Sequence, residues 1–292
     1  MVVLSSMLFL CILSVAQGFP RRIQDSPNAW EAPGSSDSRG PCPGLNSAAN
    51  HGFLDRSGSD LTVDDIKLQL STIYPVAIEF LDVPIQGAIE NGLIVQQEDG
   101  SFILPQLEDL NSAKVMEHDA SFFRVDSFFG EGSLSVNMDL VNAFLEAGED
   151  DVVITQDEIL AFQSARLRDS IERNPEATFS ENDIFAMAEQ ATFLLMMGQQ
   201  DDLGAVRKDI IRDWVVQNRL HPDFEVSPTF AKVTFDGDTA DEVHGRFSRN
   251  IEAILEEDEC DRGLLACGIA WMRFIFDLMV HMLTWPLRVF LE

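Results

Sequence analysis

The chain has 292 residues, with 20 Lys and Arg against 49 Asp and Glu, a formal net charge of −29. That balance argues against a nucleic-acid partner, because phosphate binding needs a basic surface, and against docking on anionic lipid by charge. A hydrophobic content of 46% argues against wholesale disorder, and four Cys are too few to staple a fold of this length.

The chain opens on an uncharged apolar run, residues 2–16, with Ala16 and Gly18 at −3 and −1 of a cleavage point before Phe19. The run is too short to span a bilayer and reads as a secretory signal peptide over residues 1–18. Residues 19–40 are rich in Ser, Pro, Asp and Gly and read as an N-terminal arm, ordered by contact or disordered. The folded domain is expected over residues 41–258. Pro43 suits a first helical position and Cys42 its N-cap, opening a short helix to Asn50 that Gly52 ends. Apolar residues at helical spacing cover Leu61–Leu81, with Thr62 or Asp64 as cap. Asn137 can cap Met138–Ala147. Thr155 with Glu158, and Ser180 with Asp183, match capping boxes that open two more helices, the second running to about Met197. Asp202–Gln217 is predicted as a further helix. Long connections are expected around Gly92–Glu117 and Pro222–Asp241, and Phe230–Phe235 has the best strand alternation. The fold class is mainly all-α, one domain, with at most a small β-hairpin. Residues 259–292 form an apolar tail, helical in pattern but interrupted by Arg273, Asp277, His281 and Arg288; it docks on the domain or touches a membrane interface.

Three places set polar residues where chemistry is expected. Cys42 at a helix N-terminus faces free backbone N–H groups and the positive end of the dipole, which stabilise the metal-binding thiolate; the alternative is a disulfide. Signal removal takes Cys11 and leaves Cys42, Cys260 and Cys267, so one of them stays unpaired. Cys260 and Cys267 are close in sequence, but seven residues of one helix rise about 10 Å, beyond a disulfide's reach. Their pairing needs a break, with Gly263 the candidate. Glu117-His118-Asp119-Ala120-Ser121 is the second place. Carboxylate, hydroxyl and backbone carbonyl oxygens suit Mg²⁺ or Mn²⁺, with His118 as an acid–base or orienting group; the alternative is a solvated acidic loop. Glu189 is the third, on a helical stripe with Phe185, Ala186, Thr192 and Phe193. Desolvation there would raise its pKa and make it a general acid–base near neutral pH; the alternative is a carboxylate at the stripe's edge that reaches water.

Together these residues resemble the secreted haem-thiolate peroxidases, the chloroperoxidase and unspecific peroxygenase family. The resemblance begins at Pro41-Cys42-Pro43-Gly44-Leu45-Asn46-Ser47-Ala48-Ala49-Asn50-His51-Gly52-Phe53. It continues at Glu117-His118-Asp119-Ala120-Ser121 with Arg124, Asp126 and Phe129-Gly130, then at Glu189, and ends near Trp214-Val215-Val216-Gln217-Asn218-Arg219-Leu220. The Glu-His-Asp form is that of the shorter members, and Asn182 stands where the longer ones have Arg. The chain departs from the family at Leu54-Asp55-Arg56 and in its apolar tail.

The resemblance implies a haem b enzyme with Cys42 as axial thiolate. Glu117, the His118 carbonyl and Ser121 would hold Mg²⁺ or Mn²⁺ beside a haem propionate. Glu189 would be the distal acid–base, hydrogen-bonded by His118. An apolar substrate face is expected from Phe185, Phe193 and Thr192, with Phe122 or Phe123. The implied activity is H₂O₂-dependent oxidation or oxygenation of a small apolar or aromatic substrate through an oxo-iron species, outside the cell, with membrane association if the tail touches lipid. The alternatives are a halide peroxidase, a tailoring oxidase of secondary metabolism, and a non-catalytic secreted domain of the same fold.

Overall fold

A computed structural model describes residues 22–23, 27–74, 76, 78–111, 117–130, 135–198, 203–224 and 238–262. The signal peptide, the Phe230–Phe235 strand, the tail from Gly263 and the pairing of Cys260 with Cys267 lie outside the described residues.

Helix α1 (Pro43–Asn50) starts at Pro43 behind Cys42, where a proline forfeits no helical hydrogen bond. Gly52 then turns the chain with φ 69°, a conformation that a side chain would strain. The stretch predicted as one helix from Leu61 divides into β1 (Ser59–Thr62), α2 (Val63–Ile73), capped by Thr62, and a 3₁₀ turn over Ile78–Leu81. Helix α3 (Asp82–Glu90) follows, then β2 (Val95–Gln96) and β3 (Phe102–Gln106). Helix α4 (Met138–Glu146) is capped by Asn137, whose Oδ1 accepts from the Asp139 and Leu140 amides. After β4 (Val153–Thr155), the two capping boxes open α5 (Gln156–Arg173) and α6 (Glu181–Met197). The segment predicted as a helix from Asp202 instead contains β5 (Ala205–Arg207), α7 (Lys208–Ile211) and a π-helical turn over Arg212–Val216. The last described element is α8 (Asp238–Arg262).

Tertiary pairing explains where periodicity misled. β3 is the middle of an antiparallel sheet in the order β1-β3-β2, with Leu61 opposite Leu104 and Val95 opposite Ile103. β4 and β5 form a second ribbon, with Ile154 opposite Val206. The fold is mainly helical as expected, but two small sheets replace the single hairpin. Their strands run from two to five residues, too short for alternation to stand out against helical spacing. Helices α5, α6 and α8 pack against one another, and Ala188 and Ala191 of α6 are completely buried. Helix α8 contributes a stripe of Val243, Phe247, Ile251 and Ile254.

The part of the N-terminal arm within the described residues is ordered by contact. The Ile23 amide donates to the Phe224 carbonyl at 2.8 Å, the Trp30 indole N–H donates to the Asn218 carbonyl at 3.2 Å, and the Glu31 amide donates to the Asn50 carbonyl.

A buried polar cluster fastens the loop from Glu117 to α5. Asp126, only 2% exposed, accepts from the Ala120 amide, Arg166, Ser170 and Asn174. Arg166 also donates to the Ser121 carbonyl at 3.0 Å, and Asn174 to Asp119 at 3.0 Å. Asp126→Ala would leave the Ala120 amide and Ser170 without their buried acceptor, while Arg166 keeps Asp169 and Asn174 keeps Asp119, a change that costs about 3–5 kcal/mol. Thermal denaturation should show a fall of roughly 6–20 °C, with Asp126→Asn falling less because it keeps an acceptor.

Candidate active site

Three local devices present the Cys42 sulfur. Asn46 in α1 turns back on the preceding chain: its Oδ1 accepts the Gly40 amide at 3.0 Å and its Nδ2 donates to the Gly40 carbonyl at 2.8 Å. Gly40 runs so close to Leu107 that an added Cβ would meet that carbonyl at 2.2 Å, so the approach admits only glycine. Asn50 donates to the Asn218 carbonyl at 3.0 Å while its own oxygen accepts from Arg39. His51 joins the same contact: its Nε2 accepts the Leu220 amide at 3.2 Å, which places its proton on Nδ1, where it faces the Asn28 carbonyl. The two ends of the sequence motif thus lock together, with Asn218 in a left-handed conformation at φ 45°.

Cys42 is exposed to a water-sized sphere, yet burial is the largest influence on its thiol, pushing the pKa up. Both hold if the sulfur faces a small hollow enclosed by protein. The sulfur makes no capping hydrogen bond of ordinary geometry, but the Leu45 and Gly44 amides lie close enough to pull the pKa down, as does Arg124. The Glu189 carboxylate pushes it up, which sets Cys42 and Glu189 within electrostatic reach of each other. Glu189 is itself raised to about 7 by burial, with no hydrogen bond or facing cation among the described residues to offset it.

Beneath the sulfur lie Tyr74, the chain's one tyrosine, and Trp214 from the π-helical turn. The Tyr74 hydroxyl donates to the Gly44 carbonyl at 3.0 Å, and its ring meets Trp214 edge-on at 6.5 Å. The Trp214 N–H and the Ser47 hydroxyl point toward the Tyr74 oxygen, although neither completes a hydrogen bond of ordinary geometry. Burial raises the Tyr74 pKa, so it stays a neutral donor.

The Glu117 loop meets this site from a second direction. Arg124 pairs with Glu117 at 3.1 Å and donates to the Pro41 carbonyl at 2.9 Å, tying the loop to the residue before Cys42. Burial pushes the Glu117 carboxyl up, against the pull of Arg124 and His118. The Ser121 Oγ accepts from Gln190 Nε2 at 3.2 Å, and Gln190 Oε1 accepts the Phe122 amide at 3.1 Å. Gln190 therefore joins the loop to α6 beside Glu189. Sequence reasoning did not assign Gln190, Tyr74 or the bridging role of Arg124; the motifs contained Arg124, but nothing in spacing reveals a bridge.

Three expectations need correction. His118 makes no hydrogen bond to Glu189: its Nδ1 lies 2.9 Å from the Asp119 carbonyl, leaving Nε2 as the acceptor. Phe122 and Phe123 do not line a ligand face, because they are 1% and 5% exposed and stack with Phe144 and Phe162 in the core. Thr192 is fully buried, its hydroxyl donating to the Ala188 carbonyl at 2.8 Å. Phe185 and Phe193 remain partly buried on the Glu189 side of α6.

The donor chemistry fits two groups. An accessible sulfur at a helix N-terminus, with a carboxylate in electrostatic reach, suits a haem iron ligand. The Glu117 carboxylate and Ser121 hydroxyl are hard oxygen donors that suit Mg²⁺ or Mn²⁺. Among the described residues no three His, Cys, Asp or Glu side chains form a metal cluster, so further ligands would be backbone carbonyls or oxygens of the cofactor. An open cleft of about 480 Å³ lined by Gly92, Leu93, Pro105, Glu108, Asp109 and Asn111 shares no residue with this site and has no nucleophile.

Residues 28–229 match the family described as "Peroxidase, family 2". The chain is 28% identical over 235 residues to an aromatic peroxygenase of Cyclocybe aegerita, covering 71% of this chain and 60% of that protein. It is 28% identical over 195 residues to an aromatic peroxygenase of Coprinellus radians, covering 60% of this chain and 71% of the relative. To a chloroperoxidase of Leptoxyphium fumago it is 32% identical over 97 residues, or 33% of this chain and 26% of that one.

The raised Glu189 has a consequence for stability. Below its ordinary value of 4.5 the carboxyl is protonated whether the chain is folded or not. As pH rises, the unfolded chain releases the proton first, so stability falls until the folded group ionises at about 7. The loss reaches about 3 kcal/mol if the hollow is dry, and less as water fills it. Urea denaturation of the haem-free protein at a series of pH values should show this fall, and Glu189→Gln should remove it and be the more stable protein at pH 8.

Proposed function

The chain belongs to peroxidase family 2, and on that premise we propose that it is a haem-thiolate peroxidase or peroxygenase, using H₂O₂ to oxidise or oxygenate a small apolar or aromatic substrate. The observation that carries the reading is Cys42 at the N-terminus of α1 within electrostatic reach of Glu189, a carboxylate raised to about 7 by burial and without a hydrogen-bond partner among the described residues. Haem b bound through a thiolate supplies the O–O cleavage and the oxidising power, because the sulfur pushes electron density onto iron.

The side chains have separable tasks. Cys42 would hold the iron, as a thiolate rather than the neutral thiol that burial favours in the free protein. The Gly44 and Leu45 amides stabilise the resulting negative charge. Peroxide must lose a proton from one oxygen and gain one on the other. Glu189 performs both transfers, and a pKa of about 7 balances its two protonation states at neutral pH. His118, with Nε2 as acceptor, stands on the loop that Gln190 ties to α6 and tunes that proton. Glu117, the His118 carbonyl and Ser121 take Mg²⁺ or Mn²⁺, whose charge offsets the carboxylates gathered there. Phe185 and Phe193 give the reacting face its apolar character, and the names of the two peroxygenase relatives favour an aromatic substrate. The apolar run at residues 2–16 favours export. No helix among the described residues is long and apolar enough to cross a membrane.

Two experiments test this. Cys42→Ala should abolish the thiolate signature of the reduced, CO-bound spectrum; an unchanged spectrum would reassign the ligand. Glu189→Gln should keep that signature but react with H₂O₂ roughly 10²- to 10⁴-fold more slowly in stopped flow, with His118→Ala slowed less. In the same preparations, Glu117→Gln should lower the Mg or Mn found by elemental analysis and the retention of haem.

A further inference from the structure

The two α6 rings that flank Glu189 in sequence are bridged by a ring from outside their helix. Phe185 and Phe193 stand one turn before and one turn after it on α6. Phe80, in the 3₁₀ turn Ile78–Leu81, has its ring centroid 6.3 Å from that of Phe185 and 6.0 Å from that of Phe193. Residues eight apart lie about 12 Å apart along a helix axis. A ring about 6 Å from both spans the interval of α6 in which Glu189 lies, four residues from each. Phe80 is only 8% exposed, and its turn packs against α2 and α3, so the ring is held from behind. Phe185 is held in turn by α8: the His244 ring lies 4.8 Å from it, with Nε2 3.3 Å from the Phe185 carbonyl.

We propose that Phe80 roofs Glu189, acting as a positioning residue that keeps water off the carboxylate and holds it toward the hollow that Cys42 faces. Burial raises the Glu189 carboxyl, and the aromatic rings that α6 itself supplies on that side are those of Phe185 and Phe193. Phe80 closes the gap between them. The proposal rests on the acid–base reading of Glu189 for its significance, while the ring geometry is independent of it. Of the titratable groups around this turn, the Cys42 thiol lies within electrostatic reach of Glu189 and the His244 imidazole lies against Phe185; both are kept in every variant.

The test follows the infrared carbonyl band of protonated Glu189 in the haem-loaded protein as pH is varied, with Glu189→Gln subtracted to identify it. Wild type should titrate near pH 7, Phe80→Ala lower by about one unit or more as water enters, and Phe80→Leu in between. A folded Phe80→Ala protein that titrates like wild type overturns the roof and leaves the Glu189 reading intact. A wild-type band absent near neutral pH overturns the reading and the roof together. If Phe80→Ala does not fold, Phe80→Leu decides: a lowered midpoint supports the proposal and an unchanged one overturns it.

Discussion

The Asn46 amide makes a reciprocal pair of hydrogen bonds with Gly40, and its Nδ2 also reaches Asn218 Oδ1 at 3.3 Å. This pair of hydrogen bonds closes the turn that delivers Pro41 and Cys42 to the start of α1. Without it, nothing local would fix the sulfur relative to the helix end, since a cysteine thiol is a weak hydrogen-bond former. The turn is pinned on its other side by the Leu107 carbonyl, which only a glycine can approach so closely. Asn50 and His51 then fasten the far end of α1 to Asn218 and Leu220. An eight-residue helix has little stability of its own; α1 persists because its polar side chains are buried and joined to the segments around it.

The loop from Glu117 to Ser127 solves a related problem with charge. It contains Ala120 in the left-handed region at φ 60°, a conformation disfavoured for a residue with a Cβ. The Ala120 amide donates to Asp126, which also gathers Arg166, Ser170 and Asn174. A buried carboxylate with four donors is stabilising only as a complete set. The same Arg166 reaches the Ser121 carbonyl, and Gln190 reaches the Ser121 hydroxyl. Thus α5 fixes one side of the loop and α6 the other, and the Glu189 helix is held in register with it.

The acidic composition hides two kinds of interior carboxylate. Glu117 and Asp126 each face an arginine and serve to hold chain segments together. Glu189 has no ion pair among the described residues, and burial raises its proton affinity into the neutral range. Two environments give one residue chemistry two roles. The surface charge of the remaining carboxylates contributes to neither.

The sequence by itself determined the features that depend on neighbours in the chain. Cys42 before Pro43 set a helix start, the Thr155 and Ser180 boxes set two more, and Glu189 fell on an apolar stripe by helical spacing alone. Those signals are local because capping and periodicity operate within one or two turns. Tertiary structure decided what depends on partners far along the chain. It turned Ser59–Thr62 and Ala205–Arg207 into strands by pairing them with β3 and β4. It sent Phe122, Phe123 and Thr192 into the core, left His118 short of Glu189, and drew the N-terminal arm onto Asn50 and Asn218. It also brought Arg124 to Pro41 across 83 residues and Gln190 to Ser121 across 69. A bridge of that kind leaves no periodic trace, because its geometry is fixed by the packing of the elements that carry its two ends.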